Sequence, residues 1–476
     1  MNPKFEKALH LSRRQFFGRA ASGIGVAALA TLLQEEGLAA PASAPPGGAA
    51  TGALKTLHYP AKAKRVIVLW QGGAPSHVDL FDYKPGLEAK RLQQVPDSVR
   101  AKGRLSTMTA GYKSYPVLPP IRPFKQYGKC GMWLSEMLPH TGSIADEICL
   151  INSMHTEAVN HAPGVTLMLT GSQIPGRPSM GAWTTYGLGS MSSDLPAFCV
   201  MTSTDVGRTC GQLFYDYYWG SGFLPSRFQG VRFRGEGDPV LYLKNPDGLP
   251  TSLRRGALDD IAALNRRRLA DYGDPEIETR ITQYELAYRM QASVPELLDI
   301  SKEPAHVLEM YGPDVQRPGS YARNCLLARR LVERGVRFVQ LMHSGWDQHG
   351  NLSTQLEIQC RDTDQPSAAL VKDLKQRGLL EDTIVLWASE FGRTPFVQGD
   401  LAKPNGHGRD HLGSVYSMWV AGGGFKGGMQ YGESDDYCYN VARDGVHVHD
   451  LQATILRQLG IDHTRLTFRY QGRDFR

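Results

Sequence analysis

The sequence predicts an α/β fold with a mostly parallel central sheet. Three observations predict it. Short apolar runs rich in Val, Ile and Leu recur along the chain, as strands buried on both faces require. Helix-period segments lie between several of them. Polar residues cluster where the runs stop, and α/β proteins place their sites at the carboxyl ends of parallel strands. The clearest case is VRFVQLMHSGWDQHGN at residues 336–351. A helical segment at 321–335 precedes it, with Leu326, Leu327, Leu331 and Val332 apolar, an Arg-rich opposite face and Gly335 as its stop. Residues 336–342 read as a buried strand. His343, Asp347, His349 and Asn351 follow it at once. Two imidazoles and a carboxylate so close together suit a metal better than a core.

From the N-terminus, Ser12-Arg13-Arg14-Gln15-Phe16-Phe17 has the form of a twin-arginine signal, followed by an apolar run at 20–33 and small-residue cleavage sites at 38–40 and 42–44. Residues 1–44 are therefore expected to be a signal peptide. It would direct the folded protein through the twin-arginine translocase to the periplasm or the exterior. The apolar run falls short of the roughly 20 residues that span a bilayer, so no stable membrane span is expected. Residues 45–63 read as a linker, rich in Ala, Pro and Gly up to Thr56. The main domain then runs over 64–476.

The 476-residue chain carries a formal charge of +6, of which residues 1–44 hold +2. The remainder is too weakly basic for a nucleic-acid protein, and no basic run has interleaved aromatics. Hydrophobic content of 41% supports a sizeable core. Seven cysteines without a CxxC exclude complete internal pairing, and Cys199–Cys210 is the nearest pair.

Within the main domain, residues 65–70 (RVIVLW) form the first strand and run into a Gly-rich loop carrying His77 and Asp79. That loop lacks the Lys of a P-loop. Residues 148–153 form a second strand. A helix starts near Pro163, placing Asn160 and His161 at its N-terminus, where anions are favoured. Residues 195–202 are a further strand. Residues 205–304 read as a charged, helical insertion, with helices at 258–269 and 276–291. Tyr215, Tyr217, Tyr218 and Trp219 are candidates for lining a substrate entrance, or belong to an ordinary solvated layer. Beyond the central stretch come a helix at 368–378, a strand at 383–388 ending in Glu390 and Arg393, and His407-Gly408-Arg409-Asp410-His411. A strand at 415–421 and a helix at 451–459 close the chain. A carboxylate and an Arg at a strand end are expensive to bury unpaired, which points to a role.

Taken in order, the stretches GGAPSHVDLFD, SMHT…NH…LTG, GWDQHGN, SEFGRTP and GRDH…GGG resemble the alkaline phosphatase and sulfatase superfamily. More narrowly, they resemble a twin-arginine-exported, sulfatase-like family that is largely uncharacterised. The resemblance covers residues 64–472 and implies an alkaline-phosphatase-like three-layer sandwich with metal ligands at strand ends. Carried over residue by residue, Asp347 and His349 match the Asp/His pair of one metal, with one residue between them instead of three. Glu390 matches the strand-end Asp of an Asp-His-Gly motif, with Phe391 where His is expected. His411 matches the late histidine. Gln71 stands where the first-strand Asp belongs, and the nucleophile position falls on His161.

These departures shape the expected chemistry. No cysteine stands in a C-x-P-x-R context, so a formylglycine mechanism is not expected, and no Ser or Thr occupies the nucleophile position. Attack by water activated at a divalent ion needs neither. Asp347, His349, Glu390 and His411 suffice for one Zn²⁺-like site, with Ca²⁺ or Mn²⁺ as alternatives. Asp79, His77, His161 or Asp410 would complete a second. Arg393 and Arg409 are candidates for holding a phosphate or sulfate. His161 and Asn160 would serve catalysis at the helix N-terminus. Two functions follow: an exported metal-dependent hydrolase of small-molecule or glycan phosphate or sulfate esters, or a catalytically silent binding protein that keeps the fold.

Overall fold

The computed structural model describes residues 52–476, apart from 102, 204–213, 236–237, 241–242, 244, 246–249 and 404. The expected signal peptide lies outside these residues, as does Cys210 and with it the pairing to Cys199. Among the described residues nine strands form the central sheet. They are β1 (Arg65–Gly72), β2 (Ile148–His155), β3 (Phe198–Thr202), β4 (Val231–Phe233), β5 (Phe338–Ser344), β6 (Thr383–Ala388), β7 (Tyr416–Ala421), β8 (Met429–Tyr431) and β9 (Val446–His447). Their spatial order is β8-β2-β7-β6-β1-β5-β3-β4, with β9 also pairing with β2. Every pairing is parallel except those of β7, which runs antiparallel to both β2 and β6.

The main helices are α1 (His161–Thr170), α2 (Met180–Leu188), α3 (Thr251–Tyr272), α4 (Pro275–Leu298), α5 (Ala305–Tyr311), α6 (Tyr321–Glu333), α7 (Leu352–Gln376) and α8 (Val448–Gln458). Side chains alternate across each strand, so one strand feeds two cores. Val66, Val68 and Trp70 of β1 pack with Val165 and Met168 of α1, Met180 of α2 and Ile455 of α8. Ile67 and Leu69 face the other way, in the core of Val294, Leu297, Leu326, Leu331 and Leu370. The result is three layers, helix–sheet–helix. Burying each such side chain stabilises the fold by about 1.5–3 kcal/mol.

Several elements differ from expectation. The expected helix at 368–378 is only the end of α7, which carries Pro366 inside it and gives up one N–H bond there. Its buried face is polar over much of its length: Gln359 meets His343, Asp364 takes the His140 and Thr141 N–H groups, and Ser367 meets Tyr321. The Arg-rich face of α6 is not solvated. Arg329 and Arg330 are buried and paired with Glu303, Glu333 and Asp373. The insertion supplies a sheet strand, β4, and places Met290, Val294 and Leu297 of α4 in the core. Tyr218 and Trp219 are buried as well, against the sheet rather than lining an entrance. The end of the expected linker is docked: Ala53 and Leu54 bond to the carbonyls of Tyr186 and Gly187, and Lys62 and Ala63 to that of Gln458. Among the described residues no helix is long and apolar enough to cross a membrane.

Candidate metal centre

The carboxyl ends of the parallel strands converge on one point. β5 ends at Ser344 and delivers Asp347 and His349 from the loop beyond it. β2 leads to α1, whose first residue is His161. Because β7 runs backward, the residues before it lie at this same edge, and His411 arrives from there. His161, Asp347, His349 and His411 each offer one donor atom, and the four atoms lie within 4.8 Å of one another.

The hub is Asp347 Oδ1. His349 Nε2 lies 2.7 Å from it, His161 Nε2 3.2 Å and His411 Nε2 3.3 Å. The other ring nitrogens are all engaged with oxygens. His161 Nδ1 meets Glu390 Oε1 at 2.7 Å, His349 Nδ1 meets Gln398 Oε1 at 2.6 Å, and His411 Nδ1 meets the Val159 carbonyl at 2.9 Å. An Nδ1–H donated to an oxygen leaves the lone pair on Nε2, which is how metal-ligating histidines are oriented. With the tautomers set so, three lone pairs and a carboxylate would surround a cation, and without one a proton on Nε2 takes its place. His161 Nε2 is buried and, despite its distance from Asp347, makes no hydrogen bond. The donor set of three imidazoles and a carboxylate fits a four-coordinate Zn²⁺-like ion. With bonds of about 2.0–2.1 Å, the edges of such a tetrahedron are roughly 3.3 Å.

The surroundings hold this geometry in place. Arg393 is buried, and its guanidinium donates to the carbonyls of Gly73, Ala74, Trp346 and Arg409 and, at 2.6 Å, to Asp347 Oδ1. Gly73 donates its N–H to Glu390 Oε1 at 2.8 Å. At Gly73 φ is +109°, and a Cβ would stand 2.5 Å from the Asp347 backbone nitrogen, so only glycine fits. Gly164 lets α1 settle on the 390–391 loop, where a Cβ would meet Glu390 and Phe391 at 3.1 Å. Phe391 packs its ring 5.1 Å from His161 and 4.7 Å from His411.

The structure reassigns several residues. Glu390 orients His161 and is not among the four converging donors. Asp79 does not reach the cluster, because both its oxygens are taken by Arg409 at 2.7 and 2.9 Å. Arg409 is thereby spent: its remaining donors go to the carbonyls of Leu118, Pro119 and Thr394, and it is fully buried. It is not placed to hold an anion, and neither is Arg393. His77 is buried between the Cys438 carbonyl and the Arg393 N–H. Asp410 accepts from Ser106, Thr109 and the His411 N–H. A second metal built from Asp79, His77 or Asp410 has no basis in this arrangement. His343 meets Ser203 and Gln359 inside the core, 2.7 Å from each. Asn160 is the exposed N-cap of α1 and makes no side-chain cap. Gln71 is a core residue too, bonded to Tyr321 and Trp346. Gln398 and the Val159 carbonyl, which fix two of the three imidazoles, carry no motif and were not foreseen.

Charge sets the proton inventory of the metal-free site. Burial opposes a charge on His161, but the carboxylates of Asp347 and Glu390 more than offset it and raise its pKa to about 9. His411 is lowered to about 4, first by burial and then by Arg393 and the neighbouring imidazoles, against the pull of Asp347. Burial pushes the Asp347 carboxyl up, yet its three imidazoles and Arg393 hold it well below the usual carboxylate range. A metal must therefore displace the His161 proton, while His411 has none to give at pH 7. About one proton should leave His161 per ion bound at pH 7, and affinity should rise about tenfold per pH unit until pH approaches 9. Calorimetry in buffers of different ionisation enthalpy reads this directly, and His161→Ala should abolish that proton release.

The sequence family described as "Protein of unknown function (DUF1501)" matches residues 63–476. No curated protein matches. Among solved structures, the PsFucS1 sulfatase from Pseudoalteromonas sp. is 13% identical, over 84% of this chain and 68% of that one, with a TM-score of 0.34. Alkaline phosphatase from the Antarctic bacterium TAB5 is 11% identical, over 84% and 98%, with a TM-score of 0.31. The lipoteichoic acid synthase LtaP from Listeria monocytogenes is 8% identical, over 87% and 76%, with a TM-score of 0.35. Similarity at this level carries no argument about activity. The match over residues 63–476 is what assigns the chain, and by it the protein belongs to the DUF1501 family.

Proposed function

We propose that this protein is an exported, metal-dependent hydrolase of phosphate or sulfate esters, acting by direct attack of water. The observation that carries the metal is the convergence of three oriented imidazoles on Asp347. A divalent ion held by these four donors, Zn²⁺ first and Ca²⁺ or Mn²⁺ as alternatives, would need a fifth position for water, and bound there the water's pKa would fall to roughly 7. The chain supplies the rest. Side chains of His161 and His349 are 21% and 27% exposed, so solvent reaches the edge of the site although His161 Nε2 is itself buried. The uncapped N-terminus of α1 presents its positive end to an anion. Of the hydroxyls nearest in sequence, Ser153 donates to the Asp444 carbonyl, and buried Thr156 accepts the Ala158 N–H. That favours a single displacement over a covalent intermediate. Export rests on the twin-arginine leader at residues 1–44.

One observation favours the second reading, a catalytically silent binding protein. Both arginines offered as anion holders are consumed within the fold. The test is a panel of aryl phosphate monoesters, phosphodiesters and sulfates, presented to the zinc-loaded protein. Turnover that disappears in His349→Ala supports the hydrolase. A fully loaded protein that turns over none of them supports the binding protein.

A further inference from the structure

α1 carries His161 at one end, and at its other end lies a separate cavity of about 590 Å³, framed by α1, α2 and α8. Ten residues of helix, about 15 Å, separate the two. The volume is in the range of small-molecule sites. Its floor is apolar, with Leu169, Met180 and Leu466 all buried. Trp183 and Phe223 stand edge to face beside it, their ring centroids 5.9 Å apart. The rim is cationic. The Arg177 guanidinium carbon lies 4.7 Å from the centroid of the Phe475 ring and has no carboxylate partner among the described residues. The lining holds two guanidinium side chains, Arg177 and Arg476, against one acidic side chain, Asp450, whose Oδ2 accepts the His447 N–H in the capping box of α8. An aromatic wall over an apolar floor, with an unpaired guanidinium above it, is complementary to one chemistry.

We propose that this cavity binds a small amphipathic anion, with its apolar body against Trp183 and Phe223 and its carboxylate, sulfonate or phosphate head at Arg177. The site is independent of the metal centre. The probe is 8-anilinonaphthalene-1-sulfonate, titrated by fluorescence into the full-length protein, with dodecanoate and neutral dodecanol as competitors. Saturable one-site binding is expected. Trp183→Ala and Arg177→Gln should each weaken it about tenfold, and His411→Ala should leave it within about twofold. Arg177 is exposed, so its variant keeps the fold. Dodecanoate should compete about tenfold better than dodecanol. The proposal is overturned if the dye binds without saturation, if Arg177→Gln binds it as tightly as the native protein, or if dodecanol competes as well as dodecanoate.

Discussion

Asp347→Asn should cost more than about 100-fold in metal affinity, beyond the 10–100-fold typical of losing a group that only orients a ligand. The reason is position: every imidazole of the cluster aims at Asp347 Oδ1. An amide there carries no charge, and its NH₂ group offers no lone pair to a cation. The substitution also strands Arg393, which is buried and pairs with that same oxygen. A buried charge without its partner costs about 3–5 kcal/mol. Metal content by mass spectrometry and urea unfolding should therefore fall together. Glu390→Gln isolates the first effect. It leaves the Arg393 pair intact and should lower affinity only within the 10–100-fold range, through the orientation of His161. Full metal content in Asp347→Asn would remove the hub from the account.

Asp79→Ala should destabilise the protein by about 3–5 kcal/mol and leave its metal stoichiometry unchanged. Asp79 and Arg409 are both fully buried and joined by two hydrogen bonds of 2.7 and 2.9 Å. Removing the carboxylate leaves the guanidinium with carbonyl partners only. The double replacement Asp79→Leu with Arg409→Met should recover much of the loss, because both charges then leave together. Unfolding in urea measures the first effect, and zinc per folded molecule the second. If Asp79→Ala kept its stability and lost metal, Asp79 would be a ligand, as its place beside His77 in the first loop had indicated.

These two cases show what the sequence can and cannot carry. The strands were legible because a strand covered on both faces reads as a nearly continuous apolar run, as Val66–Trp70 of β1 and Ile384–Ala388 of β6 do and as β5 does with Gln340 as its one early interruption. Of α7 only the last part was legible, because its middle buries Gln359, Asp362, Asp364 and Ser367 and the apolar pattern is interrupted there. Likewise, Arg329 and Arg330 look like a solvated face until Glu303, from the turn between α4 and α5, and Asp373 of α7 arrive. At the site, the polar residues after a strand end point to Asp347 and His349 and the family resemblance to His411, but the same reading also offers Glu390, His77, Asp79 and Asp410. Which polar groups neutralise one another was invisible, since Asp79 and Arg409 stand 330 residues apart. His161 was read through the place a nucleophile would hold. Only the fold shows its Nε2 turned toward Asp347 and its Nδ1 tied to Glu390.

The most direct test of the central claim is X-ray absorption at the zinc edge on zinc-loaded protein. The account predicts one ion in a first shell of about three imidazole nitrogens and one oxygen from the protein at roughly 2.0–2.1 Å, with no sulfur. His411→Ala should remove one imidazole from that shell. A shell containing sulfur, one unchanged in His411→Ala, or a folded protein that takes up no zinc at pH 8 would contradict it.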